Sequence, residues 1–159
     1  MSNNISGLDY SGRSERIITL KTTDTSTVHV PHVNVDGIMA YPSGATAITA
    51  ASGNVANATA AATLAAVAGK TTYITGFEVT GSGATLGSIV TVTVTGTITT
   101  TLSYTVAAIA GALLINTPLI VAFPVAIPAS AANTTIVVSM PALGAGNTNA
   151  TVVAHGYQV

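Results

Sequence analysis

The chain has 159 residues, no cysteine, and a formal net charge of −1 from four basic and five acidic residues. That length suits one domain, or one domain with an arm, and it can bury a core without a metal or a disulfide; disulfide scaffolds, zinc ribbons and thiol catalysis are excluded. So few basic residues leave no electrostatic footprint for nucleic acid or an anionic membrane, and only 6% of residues are charged, against about a quarter in an average domain.

Residues 1–40 hold every charged residue except Lys70 and Glu78. Two short β-type runs occur there, Ile17-Ile18-Thr19-Leu20 and Thr27-Val28-His29-Val30, with no amphipathic helix of useful length. Pro31 favours an extended backbone at Val30. The segment has too few apolar side chains to bury a core, so it reads as an extended N-terminal arm held by a partner. Its contact residues would be Asp9, Arg13, Glu15, Arg16 and Lys21. The start lacks the basic and apolar regions of a secretory signal, so no export is expected, and the sequons at Asn4, Asn57, Asn133 and Asn149 are read as accidental.

Residues 41–57 read as a linker, and 58–159 as a β domain. The alanine-rich run 58–68 admits a helix on propensity or a strand of small side chains packed close to a neighbour. It lacks charged i,i+4 pairs and an apolar stripe, which favours the strand. Over Thr71–Thr80, alternation predicts Tyr73, Phe77 and Val79 on one face and Thr72, Glu78 and Thr80 on the other. The cleanest strand is Ile89–Thr95, where Val90, Val92 and Val94 alternate with Thr91, Thr93 and Thr95. A turn at Thr95-Gly96-Thr97 predicts a hairpin returning through Ile98, Thr100, Leu102, Tyr104 and Val106. Further strands are expected at Leu119–Phe123, Thr134–Met140 and Asn149–Tyr157. The apolar stretch Val106–Ala129 is long enough for a membrane span, but Pro118, Pro124 and Pro128 break it, so strands and turns are expected instead. The predicted fold class is all-β, a sandwich or jelly-roll-like domain with an extended N-terminal arm.

From Val79 to Val159 there is no Asp, Glu, Lys or Arg. The usual guards of exposed strand edges are therefore missing, and closure by symmetry, most simply a trimer or ring, would cover those edges. Tyr104, His155 and Tyr157 are the candidate residues of that interface.

Catalytic and cofactor motifs fail on context. Gly69-Lys70-Thr71 resembles the end of a phosphate loop, but Leu64 stands where the first glycine should be and a strand follows. Gly81-Ser82-Gly83-Ala84-Thr85-Leu86-Gly87 mimics a dinucleotide loop, yet it also precedes a strand rather than a helix. His29, His32 and Asp36 cannot share a face on the extended backbone that Pro31 favours, so no metal site is expected. No G-x-S-x-G elbow or carboxylate pair occurs in the β domain, and His155 reads as a packed or interfacial histidine. No cofactor and no enzymatic activity are expected.

Four phrases carry a resemblance: Thr72-Tyr73-Ile74-Thr75-Gly76-Phe77-Glu78-Val79, Thr117-Pro118-Leu119-Ile120-Val121, Ile127-Pro128-Ala129-Ser130-Ala131-Ala132-Asn133-Thr134, and Gly144-Ala145-Gly146-Asn147-Thr148-Asn149-Ala150. Residues 55–159 resemble small β-structured virion proteins of tailed phages and prophages. The resemblance implies a head-decoration, cement or fibre protein, trimeric, located on the capsid surface, with the major capsid protein or another virion protein as partner. The alternative reading is a phage fibre, tail-tip or adhesin-type module binding host glycans.

Overall fold

In the computed structural model, residues 41–111, 117–144, 147 and 149–159 are described, and they contain eight strands and no helix. The strands are β1 (Thr46–Ala51), β2 (Ala60–Leu64), β3 (Thr72–Ser82), β4 (Ser88–Thr95), β5 (Leu102–Ala108), β6 (Leu119–Pro128), β7 (Ile136–Met140) and β8 (Asn149–Gln158). The arm residues Asp9, Arg13, Glu15, Arg16 and Lys21, with His29, His32 and Asp36, lie outside the described residues.

First pairs with last, and the pattern continues inward: β1 with β8, β2 with β7, β3 with β6, β4 with β5, all antiparallel. This is the pairing of one long hairpin ribbon. Additional antiparallel pairing of β3 with β8 and of β4 with β7 joins alternate pairs into two four-stranded sheets, β1-β8-β3-β6 and β2-β7-β4-β5.

Alternation builds the core between them. On β4, Val90, Val92 and Val94 are buried, while Thr91 is exposed and Thr93 and Thr95 are only partly covered. Ile136, Val138 and Met140 of β7 and Ala150, Val152 and Ala154 of β8 join the same buried cluster, as do Ile74, Phe77 and Val79 of β3. The run 58–68 does contain a strand: Ala60, Ala62 and Leu64 are buried, and Ala61 and Thr63 are exposed. Period-two burial decides against the helix that alanine propensity allows, because tertiary packing outweighs a propensity of less than about 1 kcal/mol per residue.

The segment 41–57 is not only a linker. Thr46–Ala51 pairs along its whole length with β8, so a strand of the sheet lies before residue 58. Pairing with a central strand supplies the order that this Ala- and Thr-rich sequence does not encode locally.

The predicted hairpin also needs correction. β4 and β5 pair as expected, Val92 opposite Tyr104, but β5 starts at Leu102 rather than Ile98. The connection 96–101 is anchored elsewhere: Ile98 N donates to Pro128 O at 3.0 Å and Ser130 N donates to Gly96 O at 2.9 Å. Thr97 Oγ1 donates to Thr100 O at 2.7 Å, holding Thr100 at φ 73°.

The apolar stretch Val106–Ala129 is divided between β5 and β6. No helix of the described residues is long and apolar enough to cross a membrane.

Candidate functional site

The largest departure from simple alternation lies in β3 and shapes the outer face of the first sheet. Ile74 pairs with Gly156 and Gly76 with His155, so two residues, Thr75 and Gly76, face one on β8. The extra residue shifts the phase. Thr72 is buried with Ile74, Phe77 and Val79, while Tyr73 points outward with Glu78 and Thr80, reversing the faces predicted for Tyr73 and Thr72. Glycine suits the bulge because a Cβ on Gly76 would sit 2.5 Å from Val121 O on β6. Across the ladder, a Cβ on Gly156 would press into the Tyr73 carbonyl oxygen.

Tyr73, turned outward, stacks on Tyr157, its register partner, with ring centroids 4.8 Å apart and planes 9° apart. Tyr41 covers the same ring at 5.3 Å and 59°. Tyr157 is thereby buried from the outer side of its own sheet. Its phenol is pushed above the ordinary value of 10.0, first by loss of water and then by the neighbouring Tyr73 phenol. The folded state therefore holds this proton more tightly than the unfolded chain. The stabilisation is intact below the ordinary phenol value and is lost as pH rises through the raised one. Denaturant melts from about pH 8 to 11 should show this loss, and Tyr157→Phe should flatten that slope. An unchanged slope in Tyr157→Phe would assign the alkaline loss to other groups.

One row away lie Thr49, His155 and Glu78, on β1, β8 and β3. Thr49 Oγ1 is 3.5 Å from His155 Nδ1, and His155 Nε2 is 3.8 Å from Glu78 Oε1. Hydroxyl, imidazole and carboxylate are thus in the order of a nucleophile relay. Both contacts exceed the roughly 2.6–3.2 Å at which a base abstracts a hydroxyl proton. The side chains of His155 and Glu78 are 41% and 53% exposed on an open sheet surface. The β3 bulge lies beside them, with Gly76 paired to His155, while Thr49 pairs with His155 in an unbroken β1–β8 register. The arrangement can act as a solvated polar contact that orients His155, an ion pair only when the imidazole carries a proton, and worth little to stability.

The predicted interface residues separate. His155 and Tyr157 share the outer face of β8, whereas Tyr104 points inward from β5 and packs edge-on against Phe77 at 5.2 Å and 69°. Gly69 and Lys70 lie in the turn before β3, where the Gly69 N–H donates to Asn133 Oδ1 at 2.7 Å; Thr71 then pairs with Val159. The glycine-rich segment 81–87 includes the end of β3 and joins it to β4. Among the described residues, no three His, Asp or Glu side chains converge as a metal site.

Beside the bulge, β6 breaks its own pairing. Ala122 and Ile127 pair with Gly76 and Ile74, leaving Phe123–Ala126 without register partners on β3. Between the two irregularities opens a hollow of about 580 Å³, lined by Tyr41, Ser43, Thr75, Phe123, Pro124 and Tyr157 among others. A second hollow, between the sheets near Val79, Leu119 and Leu143, holds about 20 Å³, room for a water and not for an organic ligand. Sequence reasoning missed the hollow, although the lone glycine inside the β3 pattern was the available signal of a bulge. The chain matches no family model, no curated protein and no solved structure.

Proposed function

We propose that this chain is a non-enzymatic structural component of a phage particle, placed on the capsid surface. Its N-terminal arm grips the major capsid protein or another virion protein, and its two-sheet domain associates with copies of itself, most simply as a trimer. In this reading the domain is a jelly roll, supported by the strand orders 1-8-3-6 and 2-7-4-5 and by uniformly antiparallel pairing. The phage context rests on the phrases in residues 55–159; the fold is an analogy that leaves function open.

The single observation that carries self-association is the composition of the edges. None of the four end-of-sheet strands, β1, β2, β5 and β6, contains a charged residue. Edges of this kind normally carry lysine or another device against pairing with a second chain. β6 is the barest: Ile120 and Val125 are 69% and 78% exposed, and Pro124 is its main internal interruption. Burial among copies would remove that surface from water.

Sedimentation of the full chain should give a trimer, and Ile120→Lys with Val125→Lys should shift it to monomer. A wild-type monomer over the micromolar range would overturn the reading of the edges. Deleting residues 1–36 should abolish particle binding while the β domain keeps its melting transition. Continued decoration by the truncated chain would remove the role given to Asp9, Arg13, Glu15, Arg16 and Lys21.

A further inference from the structure

We propose that the hollow between the bulges of β3 and β6 binds a neutral saccharide. This concerns a ligand site on the two-sheet domain, and it stands whether or not the arm grips a capsid.

The backbone creates the space. A bulge at Thr75-Gly76 and the unpaired stretch Phe123–Ala126 interrupt the ladder on both sides of one gap, and bulges recur where a sheet must open beside a site. The rings at the walls are held by packing in the free protein. Tyr41 leans on Tyr157, and Phe123 packs on Phe77 with centroids 6.3 Å apart at 51°. Held rings lose little freedom on binding, so contact with a ligand is not spent on ordering the site.

The lining chemistry selects the ligand. Ring faces are electron-rich and attract the weakly positive C–H face of a pyranose. Hydroxyls of Ser43 and Thr75 and the tyrosine phenols can each donate and accept hydrogen bonds, matching the hydroxyls of a sugar. Among the described residues, no Lys, Arg, His, Asp or Glu lines the hollow. A nucleotide, a uronic acid or a phosphorylated ligand would find no charged partner among those side chains. An added peptide strand would need a regular row of backbone donors and acceptors, which the two irregularities interrupt. The hollow is open to solvent, and its volume of about 580 Å³ leaves room for a short oligosaccharide lying across it.

The chain has no tryptophan, and three of its five tyrosines, Tyr41, Tyr73 and Tyr157, lie at or beside the site, so a change in tyrosine emission can report binding. The full chain should be titrated with maltotriose, cellotriose and tri-N-acetylchitotriose, with trigalacturonate and decaproline as comparisons, by tyrosine fluorescence and calorimetry. At least one neutral trisaccharide should bind with Kd of about 1 mM or tighter. Tyr41→Ala should weaken that binding about tenfold or more, and Thr75→Val several-fold, while Tyr104→Phe, on the inner face, binds as wild type. Thermal melts of each variant confirm that it is folded. The proposal is overturned if none of the three sugars binds, if folded Tyr41→Ala and Thr75→Val bind as wild type, or if trigalacturonate or decaproline binds more tightly than every neutral sugar. A bound sugar on a monomeric chain would leave this inference standing and remove the trimer reading alone.

Discussion

Replacing Phe77 with alanine is expected to lower the unfolding free energy by about 3–5 kcal/mol, a large part of the total for a domain of this size. Phe77 is 1% exposed at the centre of β3 and is the largest fully buried side chain. Its ring meets Tyr104 of the second sheet edge-on and Phe123 of β6 at a tilt, so one side chain ties both sheets and the edge strand. Alanine leaves a cavity at that junction, and the surrounding ladders limit how far the strands can collapse into it. Phe77→Leu, which keeps most of the volume, should cost less than half as much. Urea denaturation would measure both: the midpoint should fall in the stated order with the slope unchanged. A loss below about 1 kcal/mol for Phe77→Ala would mean that the sheets are not clamped through this ring. The same variant should weaken saccharide binding as well, since Phe123 loses its support.

The second large effect is expected at Asn147, a polar side chain only 1% exposed. Its Oδ1 accepts from the Leu143 N–H at 3.1 Å, and its Nδ2 donates to Val55 O at 3.1 Å. Its backbone N–H donates to Asn57 Oδ1 at 3.0 Å, and its carbonyl accepts from the Asn57 N–H at 3.1 Å. Two loops far apart in sequence, before β2 and before β8, are thereby joined. Asn147→Leu would keep the volume but strand the Leu143 N–H and the Val55 carbonyl away from water. Each orphaned group costs roughly 1–3 kcal/mol, so a loss of about 2–4 kcal/mol is expected. Hydrogen exchange should accelerate at Leu143 and Asn57 before the strands are affected. Wild-type stability in Asn147→Leu would show that water satisfies both groups.

These two residues differ in how visible they are beforehand. Phe77 stands out in the sequence as an aromatic at an apolar position of an alternating strand, and its burial follows. Asn147 lies in a Gly-Ala-Gly-Asn turn phrase and looks like any loop asparagine, because nothing local says that the loop at Val55 will close over it. Tyr73 shows a third case. Strict alternation puts it beside Phe77 on the inner face, and one inserted residue at Thr75-Gly76 turns it outward onto Tyr157. Of the candidate site, only Tyr157 was singled out from the sequence, and for a different role. Tyr41 and Phe123 come from segments 82 residues apart in numbering and converge only when β6 opens beside the bulge.

By itself the sequence determined the all-β class, the inward valines and outward threonines of β4, and a domain carrying full charge only at Lys70 and Glu78. Those features are local: side-chain period and residue chemistry act within a few residues, and they hold whatever the strand order. Tertiary structure alone decided that β1 exists, which strand neighbours which, and where the sheet opens, and it settled Ala60–Leu64 as the strand that the sequence favoured over a helix. β1 meets β8 from the far end of the chain, and β2 acquires period-two burial because the facing sheet covers one side of it. Contacts of that reach depend on closing the whole ribbon at once, a balance of chain entropy against core burial that no short window of residues contains.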